Sequence, residues 1–148
     1  MKLEFVARSS NEAFARGAIA SFVLQLDPTI SELSDIKTAV SEAVTNSIVH
    51  GYGEVLGTIY LEAKIFETGK IIIRIRDKGV GIPDVSQAME PLFTTGGEER
   101  SGLGFAVMQS FMDGVKVFSK PGRGTTVTLE KNVIRRFVKE KKQSAVVG

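Results

Sequence analysis

Three polar side chains recur at intervals of four residues in the segment Ser41-Glu42-Ala43-Val44-Thr45-Asn46-Ser47-Ile48-Val49-His50-Gly51. Glu42, Asn46 and His50 share one face of a helix, because residues four apart are neighbours on a helical surface. The apolar residues between them predict a helix that ends at His50, with Gly51 as its left-handed cap. A carboxylate beside an amide can accept a hydroxyl proton and offer an oxygen to Mg²⁺. Considered alone, the segment is better explained as the solvent face of an amphipathic helix.

A second pattern, Asp77-Lys78-Gly79-Val80-Gly81-Ile82-Pro83, directly follows a predicted strand. Two close glycines, Gly79 and Gly81, let the backbone approach a flat ligand. The Asp77 carboxylate can accept a hydrogen bond from an exocyclic amine. The alternative is a glycine turn at the end of a hairpin, and a single pattern of this kind is a weak signal.

A third pattern, Arg100-Ser101-Gly102-Leu103-Gly104-Phe105, opens a predicted helix. Free backbone N–H groups and the positive end of the helix dipole favour a phosphate there, and the two glycines permit a close approach. The pattern is not a Walker A loop, because it lacks Gly-Lys-Ser/Thr, and no parallel strand precedes it as in a Rossmann motif. The alternative is an ordinary connection from a loop into a helix.

Hydrophobic periodicity and turn residues predict the other elements. Ser9 and Glu12 have the spacing of a capping box for a first helix, and Ser31 is the cap candidate of the second. The predicted strands are 3–7, 58–66, 71–76, 115–119 and 125–130, and helices are predicted at 9–26, up to residue 50, and at 105–112. Residues 77–104 are predicted to be a long loop, of the kind that is usually functional or mobile. The order β-α-α-β-β-loop-α-β-β predicts an α+β fold, a two-layer α/β sandwich with a mixed, mostly antiparallel sheet that helices cover on one face.

The composition sets limits on the class of protein. A chain of 148 residues suits one domain, and 43% hydrophobic with 24% charged residues excludes a disordered chain. The absence of cysteine excludes disulfides, a thiolate nucleophile and cysteine-ligated metals. No apolar run is long enough for a membrane span or a signal peptide, so we expect a cytoplasmic protein without a membrane partner.

Positive charge is concentrated at the carboxyl end. Six of the 19 basic residues and one of the 17 acidic residues fall in 131–148, so residues 1–130 carry 13 basic and 16 acidic residues. The resulting net charge of −3 argues against direct nucleic-acid binding by the body. We expect a domain over 1–130 and a solvated basic tail over 131–148.

The three patterns together, in this order and spacing, resemble the ATP site of the Bergerat or GHKL superfamily. The stretch Gly124-Thr125-Thr126-Val127 resembles its fourth box, in which a threonine touches the adenine side. Within the superfamily, roughly residues 3–130 resemble the anti-sigma F factors of spore-forming bacteria. The lid segment Pro91-Leu92-Phe93-Thr94-Thr95 is the most diagnostic part of the resemblance. Further matching stretches are Ala7-Arg8-Ser9, Asn11-Glu12, Phe14-Ala15-Arg16, Gln25-Leu26-Asp27-Pro28-Thr29, Val40-Ser41-Glu42-Ala43-Val44-Thr45-Asn46, His50-Gly51-Tyr52, Gly79-Val80-Gly81-Ile82-Pro83-Asp84 and Glu99-Arg100-Ser101-Gly102.

The resemblance implies a homodimeric serine protein kinase that inhibits a sigma factor of the sigma F type and phosphorylates its anti-anti-sigma antagonist, using ATP and Mg²⁺. It implies that Glu42 is the general base, that Asn46 ligates Mg²⁺ and that Asp77 binds the adenine amine. The other implied nucleotide-binding residues are His50, Gly79, Gly81, Thr94, Thr95, Arg100, Ser101, Gly102, Leu103, Gly104 and Thr126.

Two alternative functions remain open, and one further residue is a candidate for partner binding. A general-stress anti-sigma kinase is the alternative within the class, and an ATP-dependent sigma-binding module without phosphotransfer is the alternative outside it. Arg16 lies on the predicted exposed side of the first helix and is a candidate partner contact. The simpler explanation of Arg16 is a solvated surface arginine. The resemblance also implies that the amino-terminal strand and helix form the dimer interface.

Overall fold

The computed structural model describes residues 1–90 and 99–133, with only the backbone for 99–103. Its strands are β1 (Lys2–Val6), β2 (Thr58–Ile65), β3 (Lys70–Asp77), β4 (Gly114–Lys120) and β5 (Gly124–Asn132). Its α-helices are α1 (Ser9–Val23), α2 (Ile30–Asn46), α3 (Val85–Met89) and α4 (Glu99–Phe111). A 3-10 turn, Leu24–Leu26, follows α1, and a π-helical turn, Ser47–Tyr52, follows α2. No helix among the described residues is both long and apolar enough to cross a membrane.

The strands form one sheet in the order β1-β2-β3-β5-β4. Every strand pairing among the described residues is antiparallel, so the mixed sheet that we predicted is wrong in that detail. The α+β class is confirmed. In the central pair, Asp77 at the end of β3 lies opposite Thr125 on β5, and this register places the end of β3 beside the β4–β5 turn.

Side-chain alternation explains why helices cover only one face of the sheet. Ile71, Ile73 and Ile75 on β3 are fully buried, whereas Arg74 and Arg76, which alternate with them, are exposed. Successive residues of a strand point to opposite faces, so the isoleucines meet the helices and the arginines face solvent. The helices contribute buried side chains to the same core, among them Ile19, Ile36, Val40, Phe105 and Met108. The predicted two-layer arrangement is therefore confirmed.

Both predicted helix caps are wrong. The N-cap of α1 is Arg8 and makes no side-chain cap hydrogen bond. Glu12 instead accepts a hydrogen bond from the Ser41 hydroxyl on α2 and pairs with Arg16 at 3.6 Å. The capping box belongs to α2, with Thr29 rather than Ser31 as N-cap. There the Thr29 backbone N–H donates to Glu32 Oε1 at 2.9 Å, and the Glu32 N–H donates to Thr29 Oγ1 at 3.1 Å.

The ends of the two site-bearing helices also differ from prediction. The α-helix ends at Asn46, and the π-helical turn continues to Tyr52. The glycine with a positive φ at this helix end is Gly53, with φ of 61°, and not Gly51. Residues predicted as one long loop contain α3 and the start of α4, which begins at Glu99 rather than Phe105. β5 continues past residue 130, and residues 134–148 of the predicted tail lie outside the described part of the chain.

Candidate functional site

Asp77, the last residue of β3, is a buried carboxylate with 3% of its surface exposed. Its Oδ1 atom accepts hydrogen bonds from the backbone N–H groups of Gly79, at 2.9 Å, and Thr125, at 3.3 Å. Its Oδ2 atom accepts a hydrogen bond from the Ser47 hydroxyl at 2.8 Å. A buried polar group is costly unless hydrogen bonds replace its lost hydration. These three donors both satisfy Asp77 and fix its orientation.

Gly79 allows the turn after β3 to lie directly on the π-helical turn. A Cβ atom on Gly79 would stand 2.1 Å from the carbonyl oxygen of Gly51. That oxygen also accepts a hydrogen bond from the Val80 N–H at 2.9 Å, so the two backbones are held together. The predicted close approach at this glycine is therefore made to the protein's own backbone.

Gly79→Ala is expected to destabilise the fold by about 1–3 kcal/mol or more, because the added methyl group meets backbone that cannot move away easily. Gly17→Ala is the matched control. Nothing lies within 4 Å of a Cβ at Gly17. Alanine also has the higher helix propensity there, so we expect a neutral or stabilising effect. Urea denaturation of both variants measures the difference. Equal stabilities of the two variants would contradict the close packing of these turns.

A small, partly open cavity of about 40 Å³ adjoins Asp77. Polar lining comes from Asn46, Ser47, His50 and Thr125, and apolar lining includes Ile82 and Phe105. Phe105 is 1% exposed and closes the cavity on the side of α4. The cavity has the hydrogen-bond acceptor and the apolar walls that a flat base needs. Its volume is smaller than that of typical ligand pockets, which is ~300–1,000 Å³.

Glu42 and Asn46 lie side by side against α4, as their spacing predicted. A Cβ on Gly104 would stand 3.2 Å from both Glu42 Oε2 and Asn46 Nδ2. Asn46 Nδ2 is buried and has no hydrogen-bond partner among the residues that the structure describes. Buried polar atoms normally have partners, so this amide is available to a bound group.

Glu42 also borders a second, open cleft of about 390 Å³. It is lined by Arg16 and Glu12 of α1, by Thr45 of α2 and by Gly104 of α4. Glu42 thus faces a space wide enough for a segment of another molecule. Arg16, predicted from the sequence as a partner contact, lies in the same cleft.

The structure brings together most, but not all, of the residues predicted for the site. His50 and Gly81 line the small cavity with Asn46 and Asp77. Thr126 does not reach this cavity: it borders the cleft on the open face of the sheet, with Arg76 and Phe118. Thr125 takes the inner position because it lies on the same face of β5 as the buried residues Val127 and Leu129, and this two-residue spacing was the missed signal.

Several predicted residues cannot be compared with the described structure. Thr94 and Thr95 lie outside the described residues. Arg100, Ser101, Gly102 and Leu103 lie in the first turns of α4, where only the backbone is described. Ser47, in contrast, was missed as a site residue. Its signal was a hydroxyl on the apolar stripe of a helix.

The fold and site define a histidine kinase-like ATPase domain. The family model described as "Histidine kinase-like ATPase domain" matches residues 5–131. The solved histidine kinase domain of the Erythrobacter litoralis EL346 blue-light activated histidine kinase is similar, with a TM-score of 0.56. The match covers 86% of this chain and 63% of that chain at 19% identity, so the likeness concerns the fold alone.

Curated relatives identify the branch of the superfamily. The anti-sigma F factor of Clostridium beijerinckii is 56% identical over 133 residues, which cover 88% of this chain and 92% of the relative. That of Geobacillus kaustophilus is 54% identical over 136 residues, covering 91% and 93%. That of Thermoanaerobacter sp. is 54% identical over 134 residues, covering 90% and 93%. The chain belongs to the anti-sigma F factor family, and the predicted resemblance is confirmed.

Proposed function

We propose that this chain is an ATP-dependent serine protein kinase that also holds a sigma factor of the sigma F type inactive. Its phosphoacceptor is a serine of an anti-anti-sigma protein. The observation that carries the proposal is the position of Glu42, which stands between a cleft open to a partner and Asn46 beside the Asp77 cavity. The name of the relatives, anti-sigma F factor, supports a sigma factor as the inhibited partner.

The side chains around the cavity fit ATP together with Mg²⁺. When bound, ATP would supply the phosphoryl group. Asp77 offers an acceptor to the adenine amine, and Asn46 offers an amide oxygen to the cation. No group of three or more His, Cys, Asp or Glu residues among the described residues could hold a metal. Mg²⁺ does not require such a group of side chains, because it keeps several waters and binds through substrate phosphates. The helix start at Glu99 provides N–H groups of the kind that bind phosphates.

Binding of the base requires the cavity to widen. At about 40 Å³ it is smaller than a typical ligand pocket. Phe105 of α4 forms part of the cavity wall, together with Asp77 at the end of β3 and Thr125 on β5. We propose that this wall moves when the base binds, which links nucleotide binding to the position of α4 and of the lid before it.

Glu42 acts as the general base in the proposed reaction. The acceptor serine comes from the open cleft, and Glu42 takes its hydroxyl proton as the oxygen attacks the γ-phosphorus. The bond from the γ-phosphorus to the β–γ bridging oxygen would break, and ADP would leave. Phosphoryl transfer depends mainly on positioning and on neutralisation of charge. Arg16 in the same cleft provides a positive contact for the partner, and its ion pair with Glu12 at 3.6 Å restrains it.

The type of sigma factor that the chain binds distinguishes the sporulation function from the general-stress alternative. Purified chain is mixed with a sigma factor of each type in the presence of ATP and Mg²⁺, and both affinities are measured by isothermal titration calorimetry. We expect tight binding to the sigma F type and much weaker binding to the other. Stronger binding to the general-stress sigma factor would assign the chain to that pathway.

We further propose a homodimer formed through the amino-terminal strand and helix. β1 is at the edge of the sheet. Phe14 on α1 is 53% exposed although its ring also packs on Phe5. An exposed edge strand and a neighbouring exposed aromatic ring are features of association surfaces. Light scattering should give twice the chain mass of 16.0 kDa, and a monomer at micromolar concentration would contradict the proposal.

The lid is expected to couple the nucleotide to sigma-factor binding. Arg100 can make a charge-assisted contact with the γ-phosphate, which ADP lacks. Sigma-factor affinity should therefore be higher with ATP than with ADP, by about 5- to 150-fold. Arg100→Ala should narrow this difference, and Arg74→Ala, an exposed arginine on the open face of the sheet, should not. Binding without nucleotide preference would contradict the lid switch, and a full preference in Arg100→Ala would exclude Arg100 as its sensor.

A further inference from the structure

Ser47 is a buried hydroxyl that the proposed reaction does not use. It is the first residue of the π-helical turn and is 4% exposed. Ser47 and Asp77 are the two polar residues that are buried within the described part of the chain. They are bonded to each other at 2.8 Å, and both line the small cavity.

The two oxygens of Asp77 are held in different ways. Oδ1 is fixed by two backbone N–H groups, those of Gly79 and Thr125. Oδ2 is held by a side chain, the hydroxyl of Ser47. The terminal torsion of an aspartate is soft, so the direction of Oδ2 depends on this second contact. Both oxygens turn together about the Cβ–Cγ bond. Removal of the hydroxyl would leave the carboxylate held only at Oδ1, where the Thr125 bond is long at 3.3 Å, so the whole group could turn away from the orientation that the cavity presents.

We infer that Ser47 is a positioning residue that determines the preference of the site for a 6-aminopurine. This inference rests on the proposed function, in which Asp77 accepts a hydrogen bond from the adenine amine. The Ser47 hydroxyl donates its one proton to Oδ2, so its own oxygen retains only acceptor capacity. Two acceptors then stand together on the cavity wall. A purine with an amine at position 6 can donate a hydrogen bond to these two acceptors. A purine with only a hydrogen at position 6 cannot.

The test compares ATP with purine riboside triphosphate, which lacks the 6-amino group, by calorimetric binding to the full chain. Wild-type protein should prefer ATP by about tenfold or more, the value of one hydrogen bond to a charged acceptor. Ser47→Ala should reduce that preference to about twofold or less, chiefly through weaker binding of ATP. Ser47→Thr keeps the hydroxyl and should restore the preference.

Ser110→Ala is the matched control. Ser110 on α4 also donates a hydrogen bond, to the Ala106 carbonyl at 3.0 Å, but it is exposed and does not line the cavity. It should keep the wild-type preference. Ser47→Cys, of similar shape but a weak donor, replaces Ser47→Ala if the alanine variant does not fold.

The outcomes are distinct. A full preference for ATP in a folded Ser47→Ala protein would overturn the inference. So would an equal loss of affinity for both nucleotides, because that pattern indicates a structural role only. If the wild-type protein binds neither nucleotide, the proposed function itself fails and the inference falls with it, and this is visible before any substitution is made.

Discussion

Glu42→Gln is expected to lower phosphorylation of the anti-anti-sigma protein by on the order of 10²–10⁴, while ATP still binds. Glutamine has the size and helix propensity of glutamate but cannot accept the serine proton. Glu42 lies at the open cleft and beside Asn46, so its loss should act on the transfer step and not on the base pocket.

Initial rates of phosphoserine formation, together with a separate measurement of the ATP dissociation constant, test this expectation. Glu54→Gln is the matched control, because Glu54 is exposed in the loop before β2. It should retain the wild-type rate. A Glu42→Gln protein that phosphorylates at a near-normal rate would remove Glu42 from its role as base.

Asp77→Asn is expected to weaken ATP binding by roughly ten- to a hundredfold, the range for a lost hydrogen bond to a charged group. The structure indicates how the amide would sit. Two backbone N–H groups point at the Oδ1 position, so the amide oxygen must remain there. The NH₂ group then takes the Oδ2 position beside Ser47, where it would meet the adenine amine donor to donor.

Asp84→Asn provides the control for this substitution. Asp84 caps α3 by accepting from the Gln87 N–H at 3.0 Å, and asparagine is an equally good N-cap, so ATP affinity should not change. Calorimetric titration of ATP into both variants decides the matter. An unchanged ATP affinity in a folded Asp77→Asn protein would show that Asp77 serves only the turn.

Local patterns predicted the layers of the fold because periodicity reports burial directly. The alternation along β3 and the four-residue spacing of Glu42 and Asn46 both reappear in the structure. The caps were harder to predict, because the Ser-x-x-Glu spacing of Ser9 and Glu12 is only permissive. Glu12 contacts Ser41 and Arg16 instead, and the Ser41 contact depends on the packing of α1 against α2.

Two features of the site depended on tertiary structure. Gly51 lies within the π-helical turn and packs against the Asp77 carboxylate, with 3.0 Å to a hypothetical Cβ. Its small size therefore serves packing and not a left-handed cap. The choice between Thr125 and Thr126 depended on which face of β5 meets the helices. The buried neighbour Val127 carried that information, whereas the family pattern drew attention to Thr126, which lies on the opposite face of β5.

Phosphoryl transfer to a serine is the central claim, and intact-mass analysis of the acceptor tests it most directly. Purified chain, ATP, Mg²⁺ and an anti-anti-sigma protein are incubated, and the modified residue is located by fragmentation. We predict the addition of one phosphoryl group to a serine of the acceptor, dependent on ATP and abolished or severely slowed in Glu42→Gln. An acceptor that stays unmodified, although the chain binds both it and ATP, would contradict the kinase and leave a nucleotide-dependent binding module.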